Sequence, residues 1–285
     1  MTSFVISNRQ DAIALHLENG GSFMLPLSYV VADTRTMIGN SAVGCDQRDK
    51  VDLVIYERIL GKEVGIGFDV LITGCGAAAM YDKMVRMVGD VVYEMSTNIP
   101  IGRENDVGYA EYSLYKAILE AFEKEMGEIN MSVMTNTKYL AALDYQVAVT
   151  FGGYMLLLTQ NGIVDLKKPH SIAFLMKHPT MFFGGGARVH TKAAWNACNR
   201  FMSNPRYEPP APITVPSMDH GVITGALGAH ITDVYVYMFK VMAFSIFDAE
   251  PEVVGPVMSY YISVGLPEPN TSMVVWGRTD GKLSW

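Results

Sequence analysis

The chain has 285 residues, 49% of them apolar and 18% charged, with a formal net charge of −7. That length suits one large domain or two small ones, and it can bury about three quarters of the surface that the unfolded chain exposes. The acidic balance excludes a general nucleic-acid binder, which needs a basic face, and the sparse charge points to apolar surface buried between subunits of a homo-oligomer.

The N-terminus reads as an antiparallel hairpin. Phe4-Val5-Ile6 and Ala12 to Leu17 are strand-like runs, Asn19-Gly20-Gly21 is a hairpin turn, and Ser22 to Ala32 is the return strand, bent at Pro26. Symmetric pairing about that turn sets Asp33 opposite Ser7. Val51 to Tyr56 and Val64 to Thr73 are the next strands, separated by a turn at Gly61-Lys62. The second of them ends in the small-residue run Gly74-Cys75-Gly76-Ala77-Ala78-Ala79, where a backbone or a ligand can approach closely.

From Ala77 the apolar period changes. Met80, Met84, Val85, Val88, Val91, Val92 and Met95 fall on one helix face that ends near Asn98, before Pro100. A second helix spans Tyr109 to Met126 with a stripe of Tyr112, Tyr115, Leu119 and Phe122, and Gly127 reads as its C-terminal stop. Tyr145 to Phe151, Tyr154 to Gln160 and Ile163 to Leu166 are strands linked at Gly152-Gly153 and Asn161-Gly162. Ile172 to Met176 reads as a further short strand. Met181-Phe182-Phe183 leads into Gly184-Gly185-Gly186, and Ala187 to Met202 reads as a third helix. Residues 204–221, with five prolines, read as an irregular surface insertion. Ile231 to Phe247 is a fourth helix, and Val253 to Val264 and Met273 to Trp276 are closing strands.

Cys45, Cys75 and Cys198 are far apart and have no CxxC partner, and the six His are scattered. Neither a metal site nor a disulfide framework is indicated, and no cofactor motif is visible. The glycines at 184–186 lack the Gly-Lys-Ser/Thr signature of a phosphate loop. No apolar run reaches the roughly 18 residues of a membrane span; Val234 to Phe247 is interrupted by Lys240. The first ten residues carry Asn8, Arg9 and Gln10 where a signal peptide has its apolar region. The expectation is a cytoplasmic protein without a membrane segment.

The chemistry gathers between Val31 and Val51. A strand ends at Asp33, Arg35 and the Gly39-Asn40 turn follow, and Lys50 opens the next apolar run. An acid and a lysine delivered from neighbouring strand ends can meet and shift each other's pKa. The element order is strands, two helices, strands, two helices, strands. It lacks alternating βαβ units, so a doubly wound parallel sheet is excluded. A single α+β domain over 1–285 fits better: a four-layer αββα sandwich with two antiparallel sheets between helix layers, an extended N-terminal hairpin (8–26) and the Pro-rich insertion (204–221).

Four collinear segments carry a family resemblance. Met1-Thr2-Ser3-Phe4-Val5-Ile6-Ser7 is similar to the start of HslV, the bacterial ring peptidase, where removal of Met exposes a Thr. Val31-Ala32-Asp33-Thr34-Arg35 with Gly39-Asn40 resembles the Ala-Asp-x-Arg segment of proteasome β-subunits. Gly74-Cys75-Gly76-Ala77-Ala78 stands where that family has a small-residue turn before its first long helix. Phe183-Gly184-Gly185-Gly186-Ala187 resembles its Gly-Ser-Gly segment. The chain thus resembles the proteasome β-subunit and HslV family of N-terminal-nucleophile (Ntn) hydrolases.

The resemblance implies a threonine-type peptidase subunit working on peptide substrates in an oligomeric ring. It implies Thr2 as nucleophile with its own α-amine as general base, Asp33 as the orienting acid, and Lys50 as the positive charge near the hydroxyl. The backbone around Cys75 and Gly74 would supply the oxyanion donor, and Gly185 stands where the family has an assisting Ser. Asp33 and Lys50 are 17 residues apart, within one residue of the family's spacing. Thr2 and Asp33 are 31 apart, well beyond it. That departure keeps open a non-catalytic subunit of the same fold with a structural or assembly role, and an Ntn amidase for a small substrate.

Overall fold

The structure, a computed structural model, describes residues 3–34, 36–38, 42–45, 49–60, 63–98, 102–135, 145–165, 180–184, 213–231, 258–267 and 272–279. The chain forms two compact units, Met1–Asp49 with His178–Trp285 and, inserted between them in sequence, Lys50–Lys177.

The first unit is built on the hairpin β1 (Ser3–Leu17) and β2 (Ser22–Asp33). The turn closes where the Asn-Gly-Gly signal places it, with the Leu17 N–H donating to the Gly21 carbonyl at 2.8 Å. Beyond a small ribbon of β3 (Thr36–Ile38) and β4 (Ala42–Cys45), the unit adds four strands: β10 (Thr180–Gly184), β11 (Ile213–Val215), β12 (Met258–Gly265) and β13 (Ser272–Thr279). The sheet order is β10-β1-β2-β12-β13, and β11 runs parallel to the far end of β1. One face buries Ile13, Leu15, Leu25, Tyr29, Ile262 and Val264 against a helix described over 220–231. That helix presents Ile223, Leu227 and Ile231 at four-residue steps.

Four expectations change in this unit. The sheet is not purely antiparallel, because β11 is parallel to β1. The proline-rich stretch is not irregular throughout. Ile213 and Val215 alternate inward around exposed Thr214, and that period-two burial outweighs the nearby prolines. Third, a helix is described over 220–231, within and just after the stretch read as irregular. Asp219 caps it, its carboxylate accepting the Val222 N–H at 3.2 Å. Fourth, Met181-Phe182-Phe183 is more than a lead-in to the glycine run: Thr180–Gly184 is a strand, because β1 offers it an edge. The third helix expected over 187–202, the strand over 172–176 and the helix beyond 231 lie outside the described residues.

The second unit is an antiparallel meander of β5 (Val51–Leu60), β6 (Glu63–Gly76), β7 (Tyr145–Phe151), β8 (Tyr154–Thr159) and β9 (Gly162–Asp165). On one face Tyr56, Ile66, Phe68, Val70, Ile72, Val147, Val149, Leu156 and Leu158 are buried under α1 (Ala78–Thr97) and α2 (Val107–Thr135). The buried positions of α1 are Tyr81, Met84, Met87, Val88, Val91 and Val92, close to the face read from the sequence.

The α2 face differs from that reading. Its core line is Ala110, Leu114, Ile118 and Phe122, while Tyr112 is exposed. The tyrosines are large enough to stack at the rim instead, Tyr115 on Tyr154 with ring centroids 4.8 Å apart and Tyr112 on Tyr115 at 6.4 Å. Nor does Gly127 stop the helix, which runs on to Thr135. An interior glycine costs only about 1 kcal/mol relative to alanine, less than an apolar face of this length returns.

Tyr145 is buried in this core, and among the described residues its hydroxyl bonds the Met126 thioether at 3.1 Å, a weak acceptor. Burial pushes its pKa up to about 12. Because the folded value lies above the unfolded one of about 10, this group's contribution is intact below pH 10 and lost as pH rises through 12. Thermal melts of Tyr145→Phe are therefore expected to lose less stability between pH 9 and 11.5 than those of the wild type.

Candidate functional site

The predicted site residues fall into two groups, one in each unit. In the first, Asp33 is the last residue of β2. The β1–β2 ladder does not run symmetrically from its turn. Asn8 pairs with Ser28 but Asp11 with Leu27, so Arg9 and Gln10 bulge out of β1. Past the bulge Ser7 faces Tyr29 and Phe4 faces Ala32. This corrects the expected pairing of Asp33 with Ser7. Continuing the register by one step sets Ser3 across from Asp33. The same row runs outward on both sides, since Gly184 pairs with Ser3 and Met258 with Asp33. Asp33 is thus flanked by Ser3 on one side and by Met258 on the other, with Gly184 beyond Ser3. Thr2 and Gly185 themselves lie outside the described residues.

In the second unit Lys50 immediately precedes β5 and is buried. The β5–β6 ladder begins at Val51↔Thr73. Strand β6 continues through Gly74, Cys75 and Gly76, which pair with Val147, Gln146 and Tyr145 of β7 on their other side. Among the described residues no β5 residue faces these three, so β6 overhangs its neighbour beside Lys50. An overhang of this kind leaves a strip of backbone outside the ladder, which is what an oxyanion donor needs. Gly76, at φ 101°, supplies the left-handed turn from β6 into α1.

Gly74 is fixed by close approach. A Cβ there would sit 2.5 Å from the Gln146 carbonyl oxygen and 3.0 Å from the Tyr81 ring. The absence of a side chain lets Tyr81 lie over the strand and donate its hydroxyl to an Asp52 carboxylate oxygen at 2.5 Å. On the strand itself the Thr73 hydroxyl donates to the Lys50 carbonyl at 2.6 Å.

Asp52, Thr73 and Tyr81 were invisible to sequence reasoning. Tyr81 falls beside the Met/Val face rather than within it, and a threonine in a strand is ordinary. Ser259, buried and paired with Ala32, carries no signal either. Among the described residues no group of His, Cys, Asp and Glu could hold a metal ion, and no helix is long and apolar enough to cross a membrane.

No protein-family model matches the chain, and no curated protein does. Solved structures do. The chain is similar to an Anbu (Gly-1) mutant from Hyphomicrobium sp. strain MC1, at 12% identity and a TM-score of 0.48 over 99% of this chain and 88% of that one. It is similar to Anbu (ancestral beta-subunit) from Yersinia bercovieri, at 10% identity and 0.47 over 97% and 87%. It is also similar to the eukaryotic HslV from Trypanosoma brucei, at 12% identity and 0.38 over 81% and 91%. HslV, whose N-terminal segment the start of this sequence resembles, is among the solved structures to which this chain is similar, over 81% of its length.

Proposed function

We propose that this chain is a divergent, proteasome- and HslV-like subunit of the Ntn-hydrolase type, a single four-layer domain that works on peptides in a homo-oligomeric ring. The register of β1 against β2 carries the reading. The hairpin is long, but its two-residue bulge brings Asp33 level with Ser3. Asp33 thus lies level with the first described residue of the chain, the one that follows Thr2 in sequence. The buried Lys50 beside the β6 overhang lends the second support.

In this proposal removal of Met1 frees the Thr2 α-amine. The Thr2 hydroxyl oxygen bonds to the peptide carbonyl carbon while its proton passes to that amine, whose reference pKa of about 7.7–8.0 suits both uptake and return. The Cys75 backbone amide next to Gly74 receives the oxyanion, the proton goes on to the leaving amine, and water then cleaves the ester. Asp33 and Lys50 orient the hydroxyl and hold positive charge near it. Gly185 leaves backbone, not a serine hydroxyl, at the assisting position.

Intact-mass measurement with labelling by a peptide electrophile that captures threonine hydroxyls is the test. The expected result is a chain lacking Met1 that takes one label, and no label on Thr2→Ala. A native protein that retains Met1 and takes no label overturns the mechanism and leaves a non-catalytic subunit.

A further inference from the structure

We propose that Thr73 and Tyr81 are positioning residues for Lys50, holding the Lys50 carbonyl and the Asp52 carboxylate on either side of Val51 so that the lysine emerges at a fixed point. The inference rests on the functional reading above for its purpose, but its geometry is independent of that reading.

Thr73 is fully buried on a strand interior whose ladder partners, Val51 on one side and Ala148 on the other, are already in place. A valine would satisfy the strand equally well. The hydroxyl is a liability at such a position unless it finds a partner. Its partner is the carbonyl of Lys50, one residue beyond the first β5 pair. A side chain thus continues the ladder where the strands stop.

Two residues later Asp52 is held from the other direction, by the hydroxyl of Tyr81 on α1. Tyr81 is itself buried and is seated against Gly74. The β5 start is therefore tied to β6 through Thr73 and to α1 through Tyr81. A lysine on a flexible four-carbon stem acts as an unspecific charge unless its root is fixed. For a group that must sit at one distance from a reacting hydroxyl, anchoring the root removes much of that freedom.

The test is trace acetylation of lysines followed by mass spectrometry, with melting temperature recorded in parallel. Thr73→Val removes only the hydroxyl and keeps the shape. It is expected to raise the acetylation rate of Lys50 by about threefold to tenfold, the range that one net hydrogen bond sets. Lys83 and Lys116 should be unchanged, Thr73→Ser should return Lys50 to the wild-type rate, and Tyr81→Phe should move it in the same direction as Thr73→Val. An unchanged Lys50 rate in Thr73→Val, or a rise shared by all lysines, overturns the proposal. Labelling at Thr2 is read separately. If the wild type takes no label while Lys50 responds as expected, the peptidase reading fails and the positioning stands. If Thr2 is labelled equally in wild type and Thr73→Val and Lys50 does not respond, the positioning fails alone.

Discussion

Arg58→Ala is expected to destabilise the folded chain by about 3–5 kcal/mol, the largest single effect outside the reaction chemistry. Arg58 is 2% exposed and the bulkiest fully buried side chain among the described residues. No carboxylate is bonded to it there. Its guanidinium donates instead to the carbonyls of Arg103 and Glu104, at 2.6 and 3.2 Å, and to the Tyr56 hydroxyl at 3.3 Å. Tyr56 in turn donates to the Met95 carbonyl. One strand residue thereby ties down the last turns of α1 and the approach to α2.

The alanine variant loses these charge-assisted bonds and leaves a cavity in their place. Arg58→Met keeps most of the volume and should recover about half of the loss. The Nε has no partner among the described residues, so the methionine also removes one unsatisfied donor. Thermal unfolding reads the result: a fall of roughly 10 °C for Ala at this chain length, and about half that for Met. Equal melting temperatures for wild type and Ala would show that the carbonyls at 103 and 104 are satisfied without the guanidinium.

Gly74→Ala is expected to cost about 1–3 kcal/mol, with a change at the β6 overhang in addition. The obstacle to a methyl group is the Gln146 carbonyl oxygen, 2.5 Å from the Cβ position, with Val147 Cα at 3.1 Å. Both belong to the neighbouring backbone and cannot rotate away. Strand β7 must move, or β6 must twist, and either shift carries Cys75 with it. Under the proposed mechanism that residue's amide meets the oxyanion, so Gly74→Ala should slow labelling at Thr2 by more than its loss of stability explains. Hydrogen exchange of the amides at 146 and 147 locates the disturbance. Unchanged protection there, with normal labelling, would mean that the sheet absorbs the methyl elsewhere.

What could be read from the chain alone was what local chemistry decides. The Asn19-Gly20-Gly21 turn, the strands on either side of Gly152-Gly153 and the α1 face depend on neighbours within a few residues. Their boundaries came out nearly as expected. The rest depends on partners far along the chain. Residues 180–184 form a strand through pairing with β1, and 213–215 do so among prolines for the same reason.

At the candidate site Lys50 and Gly74 were visible as residue types at a strand start and a strand end. What surrounds them was not. The Thr73 bond to Lys50 spans 23 residues and the Tyr81 bond to Asp52 spans 29, and neither leaves a periodic trace. The most consequential miss was the bulge at Arg9 and Gln10. A polar pair between two apolar runs reads as a break in a strand, yet it slides the whole N-terminal arm along β2.

The insertion of Lys50–Lys177 within the first unit has a consequence for how the protein is made. Strand β2 pairs on its second side with β12, and Ala32 meets Ser259 there. Ribosomes add about 5–20 residues per second, so β2 waits on the order of 10 s or more for the strand that completes its sheet. The inserted unit is contiguous and built from neighbour-to-neighbour strands, so it can close while the ribosome is still at work. The N-terminal hairpin meanwhile persists as a two-stranded ribbon with an open edge, a shape prone to stray pairing. Its two-residue bulge distorts that edge, and a hairpin synthesised before the inserted unit is finished after it.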